Sequence, residues 1–305
     1  MVVDKLNGRH ARIKLPKLGW VKFRASRDLA GEVIRSVTLT RDGRHWYLSV
    51  LVDDGRRTPE THQVAGEAVG VDRGVAVAVA TSRGELIDRP FSTEGERRRV
   101  TVLQRRLSRC AQRSRNRDKA RAQLAAIGTR ERRRRADFCA QTAHQLATAN
   151  AVVVIEDLKT KHMTKSAKGT LEQPGRNVAA KSGLNRAILG KGWHQFALAL
   201  SSAARYTGTV VVSVPAAYTS QRCSACGHVD PKSRESQAVF RCTACPRPAE
   251  HADVNAAKNI LAAGLAVIAC EDQPRPAGRT RSPKQEPAGT REELLLPPTT
   301  AAPAA

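Results

Sequence analysis

Four cysteines in the last third of the chain constrain its fold more than any other feature. They follow the spacing C-x2-C-x15-C-x2-C and are Cys223, Cys226, Cys242 and Cys245. Each C-x2-C pair fits a tight turn that directs two thiolates at one ion, and two such turns supply the tetrahedral sulfur shell that zinc favours. The spacing therefore predicts a structural Zn²⁺ site with no open coordination position, and it leaves His228 and His251 nearby without a role as ligands.

The overall charge points to a polyanionic partner. The chain has 52 Lys and Arg against 28 Asp and Glu, a formal net charge of +24. Such a surface gains affinity for nucleic acid by releasing condensed counterions, although a solvated basic face is the alternative. The remaining cysteines, Cys110, Cys139 and Cys270, are unpaired in sequence, and no signal peptide or membrane-length apolar stretch is evident. We therefore expect a cytoplasmic, nucleoid-associated protein without a membrane partner.

The order of strand and helix signals predicts an α/β fold. Strand patterns with a hairpin at Asp42-Gly43 occupy residues 11–52, and apolar β-branched runs mark buried strands at "AVGVD", "AVVVIEDL" and "TVVVSVP". Residues 94–149 read as a helical hairpin turning near 114–116, and 159–185 as a mobile loop. The predicted units are a β-rich element at 1–66, a core at 67–218 that resumes at 251–270, a zinc ribbon at 219–250 and a disordered tail at 271–305.

Three acidic residues lie at positions where burial is costly unless the charge is paired or binds a cation. Asp72 lies in an apolar strand pattern, Glu156 ends another, and Asp253 opens the last helix. Taken singly, each has a purely structural interpretation: Asp72 lies in a turn at a strand end, Glu156 on an exposed edge, and Asp253 at a helix N-cap. Taken together, they can converge at one edge of a sheet, where carboxylates favour Mg²⁺ or Mn²⁺ and phosphodiester hydrolysis. The residues alone leave both interpretations open.

Four blocks of sequence resemble one family. "GVDRG", "VVVIEDLK", "YTSQRCSACG" and "HADVNAAKNI" occur in the order typical of OrfB or TnpB-type insertion-sequence proteins, which are RNA-guided RuvC-like nucleases related to type V CRISPR effectors. "IKLPKLGWVKFR", "QRRLSR" and "RADF" are also similar, so the resemblance covers about residues 10–268. It implies an RNase H-like (RuvC) nuclease core with an inserted four-cysteine zinc ribbon, preceded by a partial β-barrel element.

The resemblance also implies a mechanism and partners. Asp72, Glu156 and Asp253 would hold catalytic Mg²⁺ or Mn²⁺ for DNA cleavage by water, and the ribbon would lie beside Asp253 only through the topology of its insertion. Thr219, with Ser220 and Gln221, would position the site. The partners would be a DNA target and a guide RNA, with no protein partner indicated. Positions 97–135 hold sixteen Lys or Arg, and the expected nucleic-acid contacts are Arg105, Arg106, Arg109, Arg113, Arg115 and Arg117.

Two alternatives stand beside the endonuclease interpretation. Members of the family carry many more residues before the "LPKLG" block, so the resemblance implies an N-terminally truncated copy. Such a copy could be a catalytically silent DNA- or RNA-binding protein, although all three acids are present. A zinc-ribbon accessory protein without a nuclease fold is the other alternative, and it leaves the "GVDRG" and "IEDL" blocks unexplained.

Overall fold

The computed structural model describes residues 2–29, 33–43, 45–63 and 67–271, so the tail predicted at 271–305 lies almost wholly outside it. Antiparallel strands form the first part of the chain. They are β1 (Val3–Lys5), β2 (His10–Leu15), β3 (Gly19–Arg24), β4 (Val33–Asp42) and β5 (His45–Asp53). β1, β2 and β3 make one sheet, while β4 and β5 pair as a separate ribbon. The hairpin predicted at Asp42-Gly43 is confirmed, with Gly43 at φ 61° in its turn.

Alternation in β2 explains how the first sheet forms. Ala11, Ile13 and Leu15 are buried, whereas the basic residues between them are exposed. On the same strand pair, Arg12 lies opposite Lys22, and its guanidinium stacks over the exposed ring of Trp20 at 4.6 Å from the centroid. The outer face of this sheet is therefore basic and aromatic.

A five-stranded mixed sheet forms the core of the second part. Its strands are β6 (Ala68–Asp72), β7 (Val79–Thr81), β8 (Leu86–Ile87), β9 (Val152–Glu156) and β10 (Val210–Val214). Their order is β10-β9-β6-β7-β8, in which β10, β9 and β6 are parallel and β7 and β8 are antiparallel. The parallel strands are the valine-rich runs, because helices cover both of their faces and leave few positions for polar side chains.

The helices supply two layers around this sheet. They are α1 (Glu94–Arg109), α2 (Arg115–Ala149), α3 (Thr160–Met163), α4 (Val178–Lys191), α5 (Trp193–Thr207) and α6 (Ala252–Glu271). A 3-10 turn (Pro231–Ser233) and the short pair β11 (Val239–Phe240) and β12 (Glu250–His251) lie between β10 and α6. One core cluster joins α2 and α5 to the sheet through residues such as Phe138, Leu200 and Ile155. A second joins α6 to the opposite face through Ile260, Val154 and Val214.

Two sequence expectations about the helices need correction. The basic hairpin turns at 110–114 rather than 114–116, because Ser114 caps α2 by accepting the backbone N–H of Arg117. The mobile loop expected over 159–185 is wrong at both ends, since α3 occupies Thr160–Met163 and α4 begins at Val178. In α4, Ile188 is buried and Asn185 donates to the carbonyl of Thr164 at 2.9 Å, so packing against the preceding segment stabilises the helix.

Helix α6 is the core helix of the second part. Within the described residues it alone has a length and mean hydropathy (1.3) that would suit a membrane span, and 44% of that window is buried in the protein. Two glycines allow the close contact with the sheet. A Cβ on Gly70 would lie 2.1 Å from the carbonyl oxygen of Ala257, and one on Gly264 would lie 2.4 Å from the side chain of Val154. The middle of α6 is therefore held against the centres of β6 and β9.

Candidate functional site

Strand register brings two of the predicted acids together. Val71 of β6 is paired with Ile155 of β9, and the two strands are parallel. Asp72 and Glu156 are the next residues on each strand and end their strands side by side. Asp253 reaches the same edge from the first turn of α6, and a Cβ on Gly74 would lie 3.4 Å from its Oδ2 atom. The structure therefore places Asp72, Glu156 and Asp253 at one sheet edge.

Burial and mutual repulsion set the electrostatics of this acid cluster. Glu156 is 7% exposed and Asp253 5%. Burial, followed by the charges of Glu156 and Asp253, raises the pKa of Asp72 to about 7. Burial also raises the pKa of Glu156, opposed by the hydroxyl of Thr219 and the charge of Arg73. Carboxylates held together at such a cost are what a divalent cation stabilises, so the donor set fits Mg²⁺ or Mn²⁺.

Two arginines that sequence reasoning did not assign contact this cluster. Arg234, between the two cysteine pairs, donates from Nη2 to Oδ1 of Asp253 at 3.2 Å. Arg73 is 5% exposed; its guanidinium donates to the backbone carbonyls of Glu156 and, at 3.0 Å, of Trp193. Arg73 could have been noticed as a charge inside an apolar strand pattern. Nothing in the sequence marks Arg234, because its contact depends on the fold of residues 219–250.

Thr219 lies where the family motif places a positioning residue. Its hydroxyl donates to Oε1 of Glu156 at 2.5 Å, and its side chain is buried. Thr219 and Arg234 both come from the segment that precedes α6. The expectation that this ribbon lies beside Asp253 only through the topology of insertion is therefore wrong, because the ribbon supplies side chains that contact two of the three acids.

The four predicted zinc ligands form one cluster, and their Sγ atoms lie within 4.8 Å of one another. Cys223 and Cys245 are 3.8 Å apart, and Cys226 and Cys242 are 3.6 Å apart. The backbone N–H of Ala244 donates to the sulfur of Cys242 and contributes most to lowering the pKa of that thiol to about 6, whereas contacts with the neighbouring sulfurs raise the pKa of Cys245 to about 12. Thiolates at this spacing fit a tetrahedral zinc ion.

Within the described ranges, the cysteine cluster is the one group of three or more Cys, His, Asp or Glu residues whose ligand atoms are all this close. The carboxylates of Asp72, Glu156 and Asp253 face one another at a wider spacing. The four sulfurs are therefore close enough to bind a single ion, whereas the oxygens of the three carboxylates are more widely spaced. The imidazole of His251 meets the backbone N–H of Asp253 at 3.3 Å, which gives it a place at the start of α6 outside the sulfur shell.

Two buried asparagines that the sequence analysis did not assign join the cysteine module to α6. Asn255 accepts the backbone N–H of Ser224 at 2.9 Å and donates to the carbonyl of Arg222 at 2.7 Å. Asn259 donates to the carbonyls of Arg222 and Thr219, at 2.7 and 3.0 Å. Their spacing of four residues in an alanine-rich helix was the available signal, because polar residues on a buried helix face need partners.

The arginines predicted to contact nucleic acid line the turn of the α1–α2 hairpin. Those that are exposed are Arg105, Arg106, Arg109, Arg113 and Arg115. Arg117 differs, since it is half-buried and donates from Nη1 to the carbonyl of Leu107 at 2.9 Å. It joins the two helices at their turn. The exposed arginines form a basic surface, whereas Arg98 and Arg130 elsewhere in the hairpin pair with glutamates.

Comparisons with known proteins identify the family of this chain. Residues 48–167 match the family model OrfB_IS605, described as "Probable transposase", and residues 193–260 match the model "Cas12f1-like, TNB domain". The "Putative RNA-guided DNA endonuclease InsQ" of Escherichia coli (strain K12) is 41% identical over 283 residues, which are 93% of this chain and 69% of the relative. The "Putative RNA-guided DNA endonuclease" of Streptomyces pristinaespiralis is 36% identical over 83% of this chain and 60% of the relative.

The chain is therefore a member of the OrfB/TnpB-type family of insertion-sequence proteins. It spans 69% of the length of the first of these relatives and 60% of the second. Among solved structures, a Cas12f1-sgRNA-target DNA complex is similar with a TM-score of 0.45 and 19% identity, over 70% of this chain and 42% of that one.

Proposed function

We propose that this chain is a TnpB-like, RNA-guided DNA endonuclease that depends on a divalent metal ion and is associated with a transposable element. The observation that carries this proposal is the convergence of Asp72, Glu156 and Asp253 at one edge of the sheet. Membership of a family whose relatives are named as RNA-guided DNA endonucleases supports it.

The sheet topology supports an RNase H-like (RuvC) assignment for the core. Residues 67–218 supply β6 to β10 and five helices, and 251–270 return as α6 to cover the free face of the sheet. Residues 219–250 then form an inserted zinc ribbon, and residues 1–66 a β-rich element that binds nucleic acid. The thiolates that zinc requires persist in a reducing compartment, which supports a cytoplasmic, nucleoid-associated location.

The residues at the acid cluster have two roles in hydrolysis, which are to bind the metal and to orient the metal ligands. Mg²⁺ or Mn²⁺, when bound, lowers the pKa of water and stabilises charge on the leaving oxygen of a phosphodiester. Asp72, Glu156 and Asp253 would hold the metal through their carboxylate oxygens. The hydroxyl of Thr219 fixes the orientation of Glu156, and the guanidinium of Arg234 fixes that of Asp253. The zinc ion would be structural, because four cysteine ligands leave it no open coordination position.

The net positive charge of the chain supports guide RNA and target DNA as its partners. Base pairing between guide and target reads the sequence in RNA-guided enzymes, while the protein holds the backbone. We assign backbone contact to the exposed arginines at the hairpin turn and to the basic outer face of β2 and β3, where the exposed Lys14 lies opposite Trp20.

Cleavage by the protein bound to its own guide tests the proposal. The chain is co-expressed with its flanking locus, and labelled target DNA is incubated with added Mg²⁺ or Mn²⁺. Asp253→Asn removes one metal ligand without changing side-chain volume, so cleavage falls about a hundredfold or more while RNA binding is retained. Asp157→Asn is the matched control, because Asp157 follows Glu156 in sequence, is exposed and pairs with Lys159.

Two results would contradict the proposal. Cleavage that persists in Asp253→Asn would separate the activity from the acid cluster. Binding of guide and target by the wild-type protein without cleavage, at any divalent cation tested, would identify this chain as a silent nucleic-acid-binding protein.

A further inference from the structure

The first cysteine turn is bound on both sides by one helix side chain. Asn255, fully buried on α6, accepts the backbone N–H of Ser224 and donates to the carbonyl of Arg222. These two groups flank Cys223, the buried member of the zinc shell. The turn that presents Cys223 is therefore held in a defined position on α6.

One helical turn further along α6, Asn259 extends the contact from the cysteine turn to the acid cluster. Its Nδ2 atom donates to Arg222, beside the zinc turn, and to the carbonyl of Thr219. The hydroxyl of Thr219 then donates to Glu156. Hydrogen bonds thus run from the zinc turn through Asn259 and Thr219 to a carboxylate at the sheet edge.

Every side chain in this path is withdrawn from water. Asn259 and Thr219 are each 8% exposed, and Glu156 is 7% exposed. A buried carbonyl or amide without a hydrogen bond costs about 1–3 kcal/mol. The hydrogen-bonded positions of Asn259, Thr219 and Glu156 are therefore favoured over positions in which these bonds are broken. If residue 259 only stabilised α6, alanine would suit the position better, because alanine has the highest helix propensity. The side-chain amide of Asn259 is therefore explained by its hydrogen bonds.

We propose that Asn259 is a positioning residue that couples the fold of the four-cysteine module to the orientation of Glu156 through Thr219. This inference rests on the proposed function, because it assigns Glu156 to metal binding. Folding of the cysteine module fixes the carbonyl of Arg222, Asn259 connects it to Thr219, and Thr219 holds Oε1 of Glu156. The zinc module and the acid cluster thereby act as one unit, although zinc lies outside the reaction.

A double-mutant cycle tests the path. Asn259→Asp removes the amide donor at almost unchanged volume, and Thr219→Val removes the hydroxyl. Each substitution slows guide-directed cleavage about tenfold and raises the Mg²⁺ concentration needed for half-maximal rate. The double variant is no slower than either single variant, because both changes break the same path. Rates that multiply in the double variant would overturn the proposal.

Ala262→Asp is the control for the added charge. Ala262 lies on the exposed face of α6, within one turn of Asn259. A cleavage rate like that of Asn259→Asp in this variant would overturn the proposal, because charge on the helix would then explain the slower cleavage.

Backbone hydrogen exchange tests the coupling without relying on cleavage. In Asn259→Asp, one zinc ion per chain is retained, exchange of residues 219–222 accelerates about tenfold or more, and exchange of 152–155 is unchanged. Removing zinc from the wild-type protein accelerates hydrogen exchange in the same segment. This measurement tests the coupling even if the Asn259→Asp variant does not fold. Unchanged exchange at 219–222 in the zinc-free protein overturns the proposal. Absence of cleavage with the expected exchange pattern overturns the proposed function instead.

Discussion

Asp72 shows what it costs to bury a carboxylate beside two others in the acid cluster. Its carboxyl is largely removed from water at the end of β6, with the charges of Glu156 and Asp253 nearby. Because its pKa is about 7 in the folded protein and 3.8 ordinarily, the folded protein binds more protons than the unfolded chain between these two values. Asp72 therefore makes the metal-free fold progressively less stable as pH rises from about 4 to about 7.

We expect Asp72→Asn to stabilise the metal-free protein above pH 7. The melting temperature at pH 8 rises by roughly 5 °C, and the gain nearly disappears at pH 4, where Asp72 is protonated in the folded state. Thermal unfolding in chelator at both pH values measures this. Asp157→Asn, at an exposed residue, shifts the melting temperature by about 1 °C or less. An equal gain for Asp72→Asn at both pH values would show that the carboxyl keeps its ordinary pKa in the fold.

Among the elements, helix α6 combines three tasks. It covers the sheet, places Asp253 at the sheet edge and binds the cysteine turn through Asn255. These tasks depend on how closely the helix approaches β6. Gly70 allows that approach, since any side chain there meets the backbone of Ala257 and Leu261. Because backbone atoms lie so close, the structure has no flexible group there that can move aside.

We expect Gly70→Ala to destabilise the protein and to reduce cleavage. A methyl group 2.1 Å from the carbonyl oxygen of Ala257 pushes α6 outward, at a cost of about 1–3 kcal/mol or more, and shifts Asp253 away from Asp72. Urea unfolding and the cleavage assay measure the two effects. Gly95→Ala is the control, because a Cβ on Gly95 meets nothing within 4 Å. Equal stability of Gly70→Ala and the wild type would contradict the close packing of α6 on β6.

At the scale of the whole molecule, the distribution of positive charge determines which surface binds nucleic acid. The chain has a formal net charge of +24, and the α1–α2 hairpin carries a dense group of exposed arginines at its turn. Some arginines elsewhere in the hairpin have carboxylate partners, since Arg130 and Arg134 share Glu96. Only arginines without such partners release counterions fully from a phosphate backbone.

We expect the triple variant Arg105→Ala, Arg106→Ala and Arg109→Ala to bind guide RNA with a weaker dependence on salt. The slope of log K against log salt concentration decreases in magnitude by about 2, at about 0.7 for each phosphate of single-stranded RNA that is no longer neutralised. Filter binding across a salt series measures the slope. Arg98→Ala on the same helix changes it little, because Arg98 pairs with Glu94. A slope unchanged in the triple variant would place RNA on another surface.

Local chemistry made much of the protein predictable. The cysteine spacing indicated the zinc cluster, because two turns of fixed length can meet around a common ion. Apolar runs indicated the buried strands, but the residues alone left open whether their acidic ends converge. The structure brings Asp72 and Glu156 together because β6 and β9 are parallel. Arg117 shows the limit of such reasoning. Its neighbours on the hairpin are exposed, but its own guanidinium turns inward to Leu107 because the loop between α1 and α2 is short.

The amino-acid sequence alone indicates that four thiols, three carboxylates and a basic hairpin need partners, whereas the roles of Asn255 and Asn259 emerge only from the structure. Which partner each of them has depends on the tertiary structure. Arg234 reaches Asp253 across 19 residues, and Asn259 reaches Thr219 across 40. Composition and spacing set the cost of burying a polar group, but the geometry that offsets this cost exists only after distant segments pack together.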